Sequence, residues 1–173
     1  AAHIVLDGVQ VDSDAILGEA GRASPLIEAA IDRASAVLCA EAVGALEALI
    51  DLTAEHLKTR KQFGTTLAKF QVLQHRMVDC FTNAQEARSM TLMASLKIDD
   101  KDPTVRAKAA SGAKVQIGKS GKFCGQSAVQ MHGGIGMTDE YDIGFYMKRD
   151  RALQEFLGDQ YYHAGRVAEL SGY

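Results

Sequence analysis

Residues 24–59 read SPLIEAAIDRASAVLCAEAVGALEALIDLTAEHLKT, and this stretch decides the fold. Ser24 followed by Pro25 reads as a helix start, with a hydroxyl N-cap and proline at the first helical position. From there Leu26, Ile27, Ala30, Ala34, Val37, Leu38, Ala42, Ala45, Leu46, Leu49 and Leu52 recur at a spacing close to 3.6 residues. The spacing predicts one helix from about Pro25 to Thr59. Its apolar positions cover more than one face, so it is expected to be centrally buried.

Further along the chain the pattern repeats. Phe70, Leu73, Met77, Cys80, Phe81, Ala84, Ala87, Met90 and Met93 mark a second helix over about Ala68–Ile98. Asp102 and Pro103 repeat the cap-and-proline start, and the acids Asp99, Asp100 and Asp102 suit a helix N-terminus. A third helix runs from there to His132, through Ala113, Ile117, Cys124, Ala128 and Met131. It carries Gly112, Gly118, Gly121 and Gly125. Glycine is a poor helix residue, so four of them predict close backbone approach to neighbours. This helix and the Gln130–Gly136 turn are expected near a subunit interface. A shorter helix over Glu140–Leu153 and a last one after Asp159 complete the set. Long helices on short loops imply an all-α, antiparallel up-and-down bundle of about four main helices. Before it, Ile4–Val11 reads as a strand with a turn signal at Asp7-Gly8. One strand cannot pair its own edges, so a short strand-like N-terminal tail is expected at the end of a sheet.

The 173 residues suit one domain and a core that needs no disulfide or metal support. A net charge of −3 carries no nucleic-acid signal. Cys39, Cys80 and Cys124 form an odd, widely spaced set, which reads as buried thiols in a reducing compartment. Charges interrupt every apolar run before the ~20 residues a membrane span needs. No membrane partner and a cytoplasmic location are therefore the expectation. No Glu-x-x-His occurs, which argues against a di-iron bundle, and no metal site is expected. Arg106, Lys108, Lys114, Lys119 and Lys122 read as one solvated basic face.

Three motifs bear on chemistry. Arg60-Lys61-Gln62-Phe63-Gly64 sits between the two longest helices. It reads as a helix stop, with basic residues on the helix C-terminus and Gly64 ending the turn, or as an anion site. Gln130-Met131-His132-Gly133-Gly134-Ile135-Gly136 reads as a glycine-rich C-cap, with His132 a capping or packing residue. Gln154-Glu155-Phe156-Leu157-Gly158-Asp159 comes after the lead-in Tyr146-Met147-Lys148-Arg149-Asp150.

Together these motifs resemble the C-terminal half of acyl-CoA dehydrogenases, and the resemblance covers nearly the whole chain. Arg-x-x-Phe-Gly followed by Phe70-Gln71 is a recurrent signature of that family. The resemblance implies that Arg60 binds the FAD pyrophosphate of a neighbouring subunit, where a guanidinium makes bidentate bonds to phosphate. It implies that Gln62, Phe63, Gln130, Gly133 and Gly134 also contribute to the FAD site. Residues 1–22 then correspond to the end of a β-domain and linker, and residues 23–173 to the C-terminal helical bundle domain.

The third motif departs from the family, where it usually reads Gln-x-Tyr-Glu-Gly-Thr with Glu as catalytic base. Gln154, an aromatic Phe156 and Gly158 are kept, and Leu157 stands at the Glu position. Some members place the base on the first long helix, matched here at about Ala34, which is no carboxylate either. Glu155 and Asp159 are the nearest acids and weak candidates. The resemblance implies an FAD-dependent enzyme that introduces an α,β double bond into an acyl-CoA and passes electrons to an electron-transfer flavoprotein. It also implies a homo-oligomer, or a heteromer with a paralogous subunit that carries the Glu. The alternative is a non-catalytic assembly subunit that completes an FAD site.

Overall fold

The computed structural model describes residues 3–173. Helix α1 spans Ser24–Thr59, α2 Gln71–Lys97, α3 Pro103–His132, α4 Ile143–Glu155 and α5 Gln160–Leu170. The cross-helix contacts give their directions. On α1 and α3, His56 meets His132 and Asp32 meets Arg106, so the two run parallel. Helix α2 runs antiparallel to both, through Arg88–Glu47 and Gln116–Glu86. Helices α4 and α5 both run antiparallel to α3, since Gly125 meets Met147, Gly118 meets Gln160 and Ser111 meets His163. The expected bundle is thus present as four columns. The fourth column is a helix line broken at residues 156–159.

Helix α3, not α1, is the central element, because it touches α1, α2, α4 and α5. Helix α1 buries one stripe (Cys39, Ala42, Leu46, Leu49) and leaves Leu26, Ile27 and Val37 in the open. The core between α1, α2 and α3 is built of small groups: Cys39, Ala42, Cys80, Ala84, Ala87, Ala113, Cys124 and Ala128. Small residues let helix axes approach at the short end of the usual 8–10 Å. The three thiols are buried and free.

The glycines of α3 serve this packing. A Cβ at Gly118 would lie 2.7 Å from the Gln160 side chain, and one at Gly112 would lie 3.0 Å from Met90. One at Gly121 would collide with Asp150 and Gln154, and one at Gly125 would press on Met147. The close approaches are therefore to this chain's own α2, α4 and α5.

Two starts differ from the sequence reading. Ala23, not Ser24, is the N-cap of α1, and no side chain caps it. Asp102 does cap α3, accepting from the Thr104 N–H at 2.8 Å. The expected strand over Ile4–Val11 is not formed among the described residues. Residues 3–12 have no regular structure and are exposed, with one 3₁₀ turn following at Ser13–Ala15. The reason is that an extended segment with no second strand to bond has nothing to hold it in a ladder. Ala1 and Ala2, part of the expected 1–22 segment, lie outside the described residues. No helix among the described residues is long and apolar enough to cross a membrane.

Candidate functional site

Helix α1 ends at Arg60, whose backbone N–H donates to His56 O at 2.8 Å. The chain then turns through a hairpin and not a simple helix stop. Strands β1 (Lys61–Gln62) and β2 (Thr65–Thr66) pair antiparallel around Phe63-Gly64. Phe63 has φ 56° and Gly64 φ 79°. Positive φ at both central residues is the signature of a type I′ turn, whose twist suits a two-residue hairpin. Phe63 rests edge-on against Phe70 at 6.0 Å, and its ring is otherwise exposed. Arg60 and Gln62 are exposed as well.

The end of α3 meets the same end of the bundle. His132 and His56 stack at 4.2 Å between centroids, and Tyr141 closes on both. His132 Nδ1 donates to Ala128 O at 2.8 Å. That fixes the tautomer and leaves Nε2 a buried acceptor without a partner among the described residues. Burial lowers the pKa of both rings, and for His56 the neighbouring His132 and Arg60 add to it. His132 is thus a packing residue, as expected from its place in a cap. Gly133 closes α3 at φ 66°, with its N–H on Gln130 O and Val129 O. The histidine stack brings the Arg60–Gly64 hairpin and the Gln130–Gly136 turn to one end of the molecule. There Arg60, Gln62, Phe63, Gln130, Gly133 and Gly134 are all exposed.

The Leu157 segment lies elsewhere. Lys114, which touches it, is 18 residues before His132 on α3 (132 − 114). At 1.5 Å per residue that is about 27 Å along the helix. The chain therefore does not gather its candidate residues into one site. At the break, Phe156 is extended, Leu157 has φ 62° and Gly158 φ 104°. A side chain at Gly158 would collide with Tyr162 and press on His163. Both nearby acids have partners. Glu155 closes α4 and pairs with Arg151 at 2.7 Å. Asp159 caps α5, accepting from the N–H groups of Tyr161 at 3.1 Å and Tyr162 at 2.8 Å. Ala34 faces outward on α1.

Several residues around this turn escaped the sequence reading. Lys114 is 2% exposed and donates to Leu153 O (2.8 Å), Gln154 O (3.1 Å) and Phe156 O (2.8 Å). Burial lowers its pKa. Arg106 is half-buried and pairs at 3.3 Å with Asp32, which also holds Arg166 at 2.6 Å. The solvated basic face is thus corrected at Lys114 and Arg106, which point inward; Lys119 and Lys122 remain exposed. Asp150 is also buried, with Oδ2 on Gln154 and Oδ1 unpartnered among the described residues. Burial pushes its pKa up to about 6. One signal was available. Ala110, Lys114, Ile117, Gly121, Cys124 and Ala128 fall at i, i+4, i+7, i+11, i+14 and i+18, one stripe of α3.

Comparison with known proteins bears on the fold and the family. Residues 24–171 match the family described as "Acyl-CoA dehydrogenase, C-terminal domain". The chain is 34% identical over 127 residues to acyl-CoA dehydrogenase IpdE2 of Mycolicibacterium smegmatis, covering 73% of this chain and 39% of that protein. The structure of butyryl-CoA dehydrogenase from Megasphaera elsdenii superposes with a TM-score of 0.88 at 26% identity, over 95% of this chain and 43% of that one. The Tcur3481-Tcur3483 steroid ACAD G363A variant superposes with a TM-score of 0.79 at 29% identity, over 87% and 41%. The chain thus spans about two fifths of the length of these relatives. A helical bundle with these motifs, matched over residues 24–171, belongs to the acyl-CoA dehydrogenase family and corresponds to its C-terminal domain.

Proposed function

We propose that the protein containing this chain is an FAD-dependent acyl-CoA dehydrogenase subunit that lacks its own catalytic base. The observation that carries this reading is the state of the 155–159 turn. The side chain at the base position is Leu157, Glu155 is tied to Arg151, and Asp159 is committed to capping α5. Leu157 has no carboxylate, and the two nearby acids already have partners.

The end of the bundle bearing the hairpin fits a phosphate-containing cofactor. The Arg60 guanidinium and the Gln130 amide are exposed, and nothing lies within 4 Å of a Cβ built on Gly133 or Gly134. An approaching ligand therefore meets backbone directly. Arg60 would hold pyrophosphate, while Gln62, Phe63, Gln130, Gly133 and Gly134 would border the adenosine part. When bound, FAD would supply the two-electron acceptor for the hydride leaving the acyl β carbon. The α proton must go to a base, and a positioned carboxylate contributes ~10²–10⁴-fold to such a step. That base would come from a paralogous subunit, and the electrons would pass on to an electron-transfer flavoprotein. Residues 1–22 would be the end of a β-domain and its linker. The protein would work in the cytoplasm, in fatty acid metabolism, as an oligomer through the Gln130–Gly136 end.

The second reading is a non-catalytic assembly subunit that completes an FAD site for a partner, and the same missing carboxylate favours it. The test is acyl-CoA-dependent dye reduction by the full-length protein, alone and with a paralogue that carries the Glu. Activity only in the mixture supports the proposal. Robust turnover by the protein alone contradicts it. Activity in the mixture that is lost with the Arg60 side chain, while L157E alone gains none, favours the assembly role.

A further inference from the structure

The break in the fourth column poses a physical problem. Ending α4 and restarting at α5 in mid-bundle leaves the carbonyls of the last turn without helical partners. Side chains of α3 and α5 supply the donors. The Lys114 ammonium donates to Leu153 O, Gln154 O and Phe156 O, using all three of its N–H groups. His163, fully buried, takes the next carbonyl, Leu157 O, at 3.1 Å through Nε2.

The tautomer is set by the partners. Leu157 O only accepts, so Nε2 carries the proton and Nδ1 accepts from the Ser111 hydroxyl at 3.1 Å. Ser111 Oγ in turn accepts from Arg166 at 3.1 Å, and Arg166 is held by Asp32 at 2.6 Å. A continuous chain of hydrogen bonds thus runs from the buried Asp32 carboxylate to the backbone at 157, every donor matched to an acceptor. This explains how a leucine holds φ 62°. A strained conformation persists where its surroundings over-determine it.

We propose that Lys114 and His163 are positioning residues that fix the backbone of residue 157, and with it the direction of its Cβ, independently of the side chain there. The inference deepens the proposed function: the turn is a preformed mount for a residue that, in this chain, carries no base.

The test is site-resolved amide hydrogen exchange on K114M, K114R, H163L and H163Q. The K114R and H163Q variants keep a donor and guard against loss of the fold. K114M and H163L are each expected to speed exchange at Phe156 and Gly158 at least about tenfold, with Ala84–Ala94 of α2 changed less than about twofold. H163Q is expected to restore most of the protection lost in H163L, since its amide reaches Leu157 O. With L157E as background, the pKa of the introduced carboxyl is expected to shift when K114M is added, and to recover when K114R is added instead. Unchanged exchange at the turn overturns the proposal. So does acceleration spread equally over α2 and the turn, or H163Q behaving like H163L. Exchange requires no substrate or flavin, so its failure is distinct from failure of the activity assay.

Discussion

Replacing Asp32 with asparagine tests a buried charge cluster that joins α1, α3 and α5. The carboxylate is 1% exposed, and its two oxygens join α3 through Arg106 (3.3 Å) and α5 through Arg166 (2.6 Å). Asparagine keeps the shape but presents one amide N–H₂ to a guanidinium, donor against donor. Removing one partner of a buried pair costs about 3–5 kcal/mol. Both guanidinium side chains keep some solvent contact, at 12% and 18% exposure, which places the expected loss near the lower end, about 3 kcal/mol. At about 2–4 °C per kcal/mol for a chain of this size, Tm should fall by about 6–12 °C. Calorimetric or circular-dichroism melting measures it. The control is Glu41→Gln, which breaks the exposed Arg149–Glu41 pair and should leave Tm nearly unchanged. A Tm for Asp32→Asn within about 2 °C of wild type, or no lower than that of the control, would refute the reasoning.

Other outcomes rest on the same contacts. Gly121→Ala places a methyl against Asp150 and Gln154, so urea unfolding should show a loss of about 1–3 kcal/mol. Asp150 and His163 titrate in overlapping windows with opposite effect. Burial raises the Asp150 pKa from 3.8 to about 6, so the folded state holds the extra proton and this contribution is lost as pH rises from about 4 to 6. Burial, reinforced by Lys114, lowers the His163 pKa from 6.5 to about 4, so the unfolded state holds the extra proton and stability rises over the same range. Asp150→Asn should therefore make stability rise more steeply with pH between 4 and 6 than in wild type, and His163→Gln less steeply; identical pH profiles for both variants would contradict the assignment. In the full-length assembly, Arg60→Ala should weaken FAD retention by roughly 2–5 kcal/mol, and unchanged flavin occupancy would remove Arg60 from the site.

The helices were legible because each buries a stripe at helical period. The bounds of α3 could be read at both ends, from Asp102-Pro103 and from His132-Gly133. The register of the Leu157 segment was read from flanking Gln154 and Gly158. Burial of individual charges was less legible. Lys114 looked solvated by residue type, yet its place on the α3 stripe points inward, and the carbonyls that receive it come from a break 39 to 42 residues away. Asp32 likewise finds its partners 74 and 134 residues along the chain, and no local pattern encodes such pairings. The hairpin at Lys61–Thr66 was hidden because Phe63, a non-glycine residue at positive φ, looks unsuited to a tight turn. The N-terminal strand failed for the opposite reason: its local pattern is sound, and what it lacks is a partner strand.

The central claim is that the turn is intact and only the base is absent. The most direct measurement is straight-chain acyl-CoA dehydrogenation by the full-length protein without a partner, compared for wild type, L157E and Glu155→Gln. Little wild-type turnover is expected, with no further loss in Glu155→Gln. L157E is expected to gain about 10²-fold or more from a carboxylate placed on the preformed turn. Robust wild-type turnover that Glu155→Gln or Asp159→Asn abolishes would contradict the claim, and would show that the base has moved within this chain.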